Sequence, residues 1–212
     1  PSTKTSRRTF DDTITEIDRN IGLAEIHLTK LQALKANAHL VRGAIETANA
    51  SYDSKDVTAS EKGHANAELD FEAAAGNGST KVHALELRGL LRTRRGNFAG
   101  ALTDFTAMAE AAVDPCSLAR AQRYQAETQM KQSNGTNGRK LKDARSNLNA
   151  GFKALKTDKT QALPERAELA RNRLAYAELQ GHLSGKGDLV TKTLREALAF
   201  LKENDPHPAR EL

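Results

Sequence analysis

Apolar residues recur along the first part of the chain at alternating intervals of four and three. Because an α-helix turns once per 3.6 residues, this spacing places them on one side of a helix of about six turns. The members of this first series are Phe10, Ile14, Ile17, Ile21, Ala24, Leu28 and Leu31. A second helical stretch follows, and its apolar side consists of Leu34, Ala38, Val41, Ile45 and Ala48.

These two stretches are the predicted N-terminal helices, over residues 10–50, and the polar, basic residues 1–9 are predicted to form a disordered tail. The spacing of the first series is also that of a coiled coil, but it covers only about three heptads. We therefore expect this helix to pack against the rest of the chain. Pairing with a second copy, in a homodimer, is the alternative.

Turn-forming residues divide the rest of the chain into shorter helices. Glycine and asparagine occur together at residues 76–77, 96–97 and 133–138, and each cluster predicts a helix end or a loop. Asp114 stands before Pro115, which is the order expected for a helix N-cap and a first helical residue. With the N-terminal helices, the pattern predicts about eight to nine helices in all.

The composition supports an all-α fold. The chain has 34 Ala and 25 Leu, which favour helices, but only 5 Val and 5 Ile, which favour strands. No window approaches the ~18 apolar residues that a membrane-spanning helix requires, so no membrane partner is predicted.

A short pattern of apolar and small residues repeats along the chain. The triplet Ala67, Phe71 and Ala74 is followed 34 residues later by Ala101, Phe105 and Met108. The same spacing returns in two later triplets, which are Ala144, Leu148 and Gly151, and Leu194, Leu198 and Leu201. Recurrence at a fixed period of this length is typical of helical-hairpin repeats.

The stretch from residue 82 to 115 carries the fullest version of this pattern. Its marker residues are Leu85, Gly89, Gly96, Asn97, Phe98, Ala101 and Phe105. In this order they resemble the tetratricopeptide repeat (TPR), a helix–turn–helix unit. The resemblance implies a right-handed superhelix of TPR-like hairpins over residues 51–212, joined with residues 10–50 in a single compact domain.

The resemblance also implies a function. In TPR proteins the first helix of each hairpin lines a concave groove, and here the corresponding positions are His83, Glu86, Leu90 and Thr93. The implied protein is a scaffold or adaptor that binds a peptide or a partner protein in this groove, and it is not an enzyme.

The charge distribution adds a second candidate surface. The net charge is +5, yet residues 1–80 hold 9 basic and 12 acidic residues, whereas residues 116–212 hold 18 and 11. Within 139–159, a row of cations at helical spacing consists of Lys142, Arg145, Lys153 and Lys156. Such a row suits an anionic partner, for which an acidic protein or peptide is the first candidate. The alternative is that the chain is a nucleic-acid-binding or regulatory helical domain that uses the basic helix over 139–159.

Sequence motifs for catalysis and metal binding are missing. The chain contains no HExxH, no GxxxxGK[ST] and no GxSxG, and a single cysteine excludes the usual zinc-finger spacings. No catalytic residue, metal or cofactor is predicted, and an accessory domain of a larger enzyme is the least favoured interpretation. The lone Cys116 and the lack of an apolar leader predict a cytoplasmic protein.

Overall fold

The computed structural model describes residues 3–52, 57–134, 138–155 and 163–184, together with residues 191, 192 and 195. Within these ranges the chain forms seven α-helices and no strand, which confirms the all-α class. The helices are α1 (Thr3–Tyr52), α2 (Val57–Ala75), α3 (Lys81–Arg94), α4 (Phe98–Ala111), α5 (Pro115–Ser133), α6 (Gly138–Ala154) and α7 (Leu163–Ser184).

Helix α1 is a single element of 50 residues, where the sequence predicts two stretches and a tail. The junction between Leu31 and Leu34 holds no proline or glycine, and its Gln and Ala residues are compatible with a helix. Nothing there interrupts the backbone hydrogen bonds, so the two stretches are continuous. The helix also begins at Thr3, so residues 3–9 are helical, in contrast to the predicted disordered tail.

The predicted turn residues end and begin the shorter helices as expected. Gly96 adopts a left-handed φ of 77°, and the Asn97 side chain accepts a hydrogen bond from the Gly100 N–H at 3.0 Å. Asp114 caps α5 by accepting from the Ser117 N–H at 2.8 Å, with a proline in the first turn. These local signals place the helix boundaries because each of them satisfies backbone groups that a helix end leaves unpaired.

The helices stack in the order of the chain. Each helix packs against the next, and contacts also join α1 to α3, α3 to α5 and α5 to α7. Within the described ranges, no even-numbered helix contacts another even-numbered helix. The odd-numbered helices therefore form one layer of the stack, and the even-numbered helices form the other.

The core is divided among the hairpins rather than concentrated in one centre. One buried cluster joins Phe71 of α2 to Leu91 of α3, and a second surrounds Phe105 of α4. A third cluster, around Leu148 of α6, includes residues of α5 and α7. Each hairpin thus covers its apolar side with residues from its neighbours, as expected of stacked hairpins.

The positions of the repeated pattern are buried in all three described hairpins. Ala67, Ala101 and Ala144 are fully buried. The large residues four positions later, Phe71, Phe105 and Leu148, are at most 1% exposed. The fourth triplet, at Leu194, Leu198 and Leu201, lies outside the described residues.

A set of two contacts, made by four residues, occurs twice in the stack. In the first hairpin, Arg42 pairs with Asp70, and the next residue in each helix forms a second contact, between Gly43 and the Phe71 ring. In the second hairpin, Arg88 pairs with Asp104 at 2.8 Å, and Gly89 meets the ring of Phe105. A Cβ added at either glycine would lie 2.5–2.7 Å from the phenylalanine ring, so only glycine permits this approach.

The third hairpin, α5 and α6, has an uncharged version of this arrangement. The Asn147 amide donates to the Gln129 side chain at 3.0 Å, where the earlier hairpins have an aspartate and an arginine. Met130 and Leu148, the residues that follow these two, belong to one buried cluster. A larger residue thus replaces glycine on one helix while a smaller residue replaces phenylalanine on the other.

Candidate interaction surfaces

The four groove positions implied by the TPR resemblance differ in accessibility. His83 is exposed and Leu90 is half-buried, whereas Glu86 and Thr93 are each 8% exposed. The Glu86 carboxylate accepts from the Tyr124 hydroxyl at 3.0 Å and from Arg120 at 3.3 Å. Through these contacts the Glu86 side chain joins α3 to α5.

Thr93 is committed to the same packing one helical turn beyond Leu90. Its hydroxyl donates to the Gly89 carbonyl at 2.9 Å and lies 3.2 Å from the Thr128 hydroxyl of α5. Of the four predicted residues, His83 and Leu90 therefore keep surface that a partner could contact.

Helix α5 supplies residues to this face that the sequence reasoning did not identify. Arg120 lies between two carboxylates, Glu86 of α3 at 3.3 Å and Glu168 of α7 at 3.6 Å. The three side chains form a row of alternating charge across the odd-numbered helices. Their separation in the sequence, 34 residues for the first pair and 48 for the second, hides this row until the helices are stacked.

Glu168 is the buried centre of the charges between α5 and α7. It is fully buried and accepts from Arg123 at 2.8 Å, while Arg171 approaches at 3.3 Å. Burial opposes the charge of Arg123, but Glu127 and Glu168 outweigh it and raise the pKa of the guanidinium. This side chain also lies over the Tyr124 ring, 4.4 Å from its centroid, and burial raises the pKa of that phenol.

Three cations on one face of α6 make no ion pair within the described ranges. Lys142, Arg145 and Lys153 are exposed, and none of them forms an ion pair with another residue of the described ranges. Leu141 and Leu148 on the same helix are buried against the stack, so the cations face away from it. Lys156, the fourth predicted member of this row, lies outside the described residues.

The arginines at the end of α3 contrast with the α6 cations. Arg88 and Arg92 both donate to Asp104 of α4, at 2.8 and 2.9 Å. Arg92 also donates to Glu68 of α2 at 3.1 Å, and Arg95 reaches the same carboxylate at 2.8 Å. These cations join α2, α3 and α4, whereas Lys142, Arg145 and Lys153 of α6 are exposed to solvent.

The amino-terminal half of α1 carries an apolar surface that the described residues do not cover. The first predicted series is exposed at Ile14, Ile17, Ile21, Leu28 and Leu31, by 51–63%. The expectation that this series packs within the chain is not met in the described ranges. The last residues of α2 lie beside residues 32–39 of α1, where Ala36 is buried.

The other candidate features are the thiol of Cys116, possible metal-binding groups and membrane-spanning helices. Burial raises the pKa of Cys116, and the charge of Asp114 adds to this effect, so the thiol stays protonated near neutral pH. In the described part of the chain, no three His, Cys, Asp or Glu side chains are grouped closely enough to hold a metal ion. None of the described helices combines the length and the apolarity needed to cross a bilayer.

Comparison of the chain with protein-family models, with curated proteins and with solved structures finds no match.

Proposed function

We propose that this chain is a non-catalytic, cytoplasmic scaffold that binds an acidic partner protein or peptide. The proposal includes a right-handed, TPR-like superhelix as the framework. Binding then depends on an exposed surface of the stack, since the interior of each hairpin is occupied by its neighbours.

The twofold occurrence of the same contacts supports the repeat framework. Arg42 and Gly43 meet Asp70 and Phe71 in one hairpin, and their counterparts meet in the same way in the next. The layer of odd-numbered helices corresponds to the layer that lines the groove of a TPR superhelix. In this chain the accessible members of that layer include His83, Arg120 and Arg171, with side chains 59%, 33% and 57% exposed.

The observation that carries the proposed partner class is the exposed group of Lys142, Arg145 and Lys153 on α6, which have no carboxylate partner within the described ranges. This helix has five cations and one carboxylate, and its exposed Lys142, Arg145 and Lys153 make no ion pair in the described ranges. By contrast, Arg92, Arg95 and Arg123 lie within ion-pair distance of aspartate or glutamate. Three solvent-facing cations attract an acidic surface and raise its rate of encounter.

Nucleic acid is the second candidate partner, since phosphates are also attracted to these cations. Proteins that bind single strands usually stack bases on exposed aromatic rings. The nearest ring to the cations, Phe152 on α6, is half-buried and packs edge-to-face on Tyr176 at 6.0 Å. An acidic protein or peptide needs no such ring and therefore fits this surface better.

Charge reversal tests the α6 surface directly. The variant Lys142→Glu, Arg145→Glu, Lys153→Glu is compared with Lys30→Glu, Lys62→Glu, Lys81→Glu, which makes a similar change at exposed positions of α1, α2 and α3. The readout is the fluorescence anisotropy of a labelled poly-glutamate peptide and of a labelled single-stranded oligonucleotide. We expect the α6 variant to lose at least about tenfold in peptide affinity, while the control stays within about threefold of the wild type.

If both variants lost the same peptide affinity, net charge alone would explain the effect, and the proposed binding surface on α6 would be wrong. Tight oligonucleotide binding with a steep salt dependence, together with weak peptide binding, would favour the nucleic-acid candidate. Circular dichroism of both variants verifies that the helices remain intact.

A further inference from the structure

The connection between α2 and α3 carries an asparagine followed by a glycine. Asn77 and Gly78 lie in the turn that joins the first hairpin to the second, and Gly78 is exposed. The Thr80 N–H donates to the Asn77 carbonyl at 3.2 Å and closes this turn. In such a pair the backbone nitrogen of the glycine can attack the side-chain carbon of the asparagine, because glycine has no Cβ to obstruct the approach.

We propose that Asn77 is a site of spontaneous deamidation and that the turn around it promotes the reaction. A bond forms between the Gly78 nitrogen and the Asn77 Cγ, while the bond from Cγ to Nδ2 breaks. Nδ2 leaves as ammonia and takes up the proton that the Gly78 nitrogen loses. Water then opens the resulting cyclic imide at either of its carbonyl carbons, which yields aspartate or isoaspartate.

The attacking nitrogen is available for this reaction. Within the described ranges, the Gly78 N–H donates to no other group of the chain, whereas the N–H groups of Asn77, Ser79 and Thr80 all do. A Cβ built on Gly78 would have no neighbour within 4 Å, so the turn is open at this residue. A proton that already takes part in a hydrogen bond within the chain is harder to remove, so the open N–H favours the attack.

The carbonyl under attack is polarised by the next residue. Asn77 Oδ1 accepts from the Ser79 N–H at 3.0 Å and from the Ser79 hydroxyl at 2.7 Å. Negative charge develops on this oxygen as Cγ becomes tetrahedral, and donors already aimed at such an oxygen lower the barrier. Ser79 therefore stabilises the charged intermediate as an oxyanion hole does in acyl transfer.

Asn97 provides a contrast within the same structure. Its Oδ1 also accepts a backbone N–H, from Gly100 at 3.0 Å, but the residue that follows it is Phe98. The Phe98 N–H donates to the Gly96 carbonyl at 2.9 Å and belongs to the first residue of α4. The bulky side chain and the occupied N–H both hinder the attack, so Asn97 should remain unmodified.

The products change the connection between the first two hairpins. Asn77 lines a cleft together with Lys35 and His39 of α1, so deamidation puts a carboxylate on the same cleft as a lysine and a histidine. Isoaspartate also routes the backbone through the former side chain, which lengthens the chain in the turn. The hydrogen bonds from Thr80 to the carbonyls of Asn77 and Ala74 then lose their geometry. We expect the packing of α2 against α3 to weaken as the protein ages.

Peptide mapping by mass spectrometry tests the site. The purified chain is kept at physiological temperature in mildly alkaline buffer, and the conversion of residue 77 is followed beside that of residue 97. The reference is a synthetic peptide of residues 72–82, which is too short to fold. We expect residue 77 of the chain to convert within about tenfold of the rate in the peptide, because an exposed turn gives little protection, and residue 97 to stay unmodified. Slower conversion than this at residue 77 would overturn the proposal.

Substitutions at the next two residues separate the attack from its promotion. Gly78→Ala, in which the new Cβ meets nothing, should keep the fold and slow the conversion of residue 77 by at least about tenfold. Ser79→Ala removes the hydroxyl donor and should slow the conversion by at least about threefold. A Ser79→Ala variant that converts as fast as the wild type would overturn the promotion by the turn. Circular dichroism verifies that both variants are folded.

Thermal unfolding of aged protein tests the effect on the stack. Aged wild-type chain should unfold at a lower temperature than freshly purified chain, whereas aged Gly78→Ala should match its fresh sample. Losses of the same size in both proteins would mean that deamidation at residue 77 does not weaken the connection. The outcome is independent of the α6 surface, which these variants leave unchanged.

Discussion

The two halves of α1 belong to one uninterrupted helix but are built from different residues. The amino-terminal half exposes large Ile and Leu side chains on the side where the carboxy-terminal half buries Ala36, Gly43 and Ala50. Small residues let α2 approach closely, and the Phe71 ring occupies the space that a larger residue at position 43 would fill. The large residues of the amino-terminal half instead remain more than half exposed. Along α1, small residues thus mark the part that packs against α2, and large residues mark the part that stays exposed.

The largest effect on stability is expected when the Phe71 ring of α2, which packs against Gly43 of α1, is removed. Phe71 is 1% exposed and lies in the cluster with Ala67 and Leu91, so Phe71→Ala should lower the free energy of unfolding by ~3–5 kcal/mol. Chemical denaturation monitored by circular dichroism measures this loss. A loss below about 1 kcal/mol would mean that the carboxy-terminal half of α1 does not depend on α2 as described.

Loss of the carboxylate that α1 binds should have the next largest effect. Asp70 accepts from Arg42 at 2.7 Å and lies 3.0 Å from His39, and its hydrogen bond with Arg42 is the main cause of a lowered pKa. This stabilisation is complete above the carboxyl's ordinary pKa and is lost as the pH falls through its lowered value. We expect Asp70→Asn to cost ~1–3 kcal/mol at neutral pH.

The pH dependence distinguishes the ion pair from a general packing defect. The wild type should lose stability relative to Asp70→Asn as the pH falls below about 4, since the variant has no proton to bind at this site. Denaturation midpoints measured at neutral and acidic pH give the comparison. A constant difference between the two proteins across this range would show that the charge of Asp70 contributes little.

The same substitution, glycine to alanine, can be made in each half of α1. At Gly43 an added Cβ would lie 2.7 Å from the buried Phe71 ring, so overpacking should exceed the gain in helix propensity and destabilise the chain by about 1 kcal/mol. At Gly22 an added Cβ meets nothing, so Gly22→Ala should stabilise the chain by ~0.5–1 kcal/mol. Chemical denaturation should show that the free energy of unfolding falls in the Gly43 variant and rises in the Gly22 variant. Changes in the same direction would contradict the distinction between the two halves of α1.

The smallest effect is expected for the exposed apolar residues of α1. Ile21 is 52% exposed, so Ile21→Ala should change the free energy of unfolding by less than about 0.5 kcal/mol. Chemical denaturation monitored by circular dichroism measures this change. A loss of several kcal/mol would place Ile21 in a buried contact within the chain.

Local signals in the sequence were sufficient to define much of the fold. Gly96, Asn97 and Asp114 each act on the backbone within a few residues, so the ends of α3, α4 and α5 could be predicted closely. The 34-residue recurrence likewise identified Ala101 and Phe105 as core residues, since a fixed period reports equivalent surroundings. The continuity of α1 was missed because a change in apolar pattern was interpreted as a boundary between helices.

The candidate surfaces were less predictable. The resemblance placed Glu86 and Thr93 in a groove, but α5 packs close enough to α3 to bury both. The sequence of α3 alone does not indicate how closely α5 approaches it. Arg120 and Glu168 meet across helices and share no motif, so only stacking brings them together.

The sequence by itself determined that this chain is helical, where most of its turns fall and which residues repeat, because these properties depend on neighbours within one or two helical turns. Only the tertiary structure decided which apolar side of α1 is covered, which cations are paired and which groove positions are buried. These outcomes depend on how far α2 extends along α1 and how closely successive hairpins approach. Such distances are set by contacts between residues about 20 to 50 positions apart, beyond the reach of any local pattern.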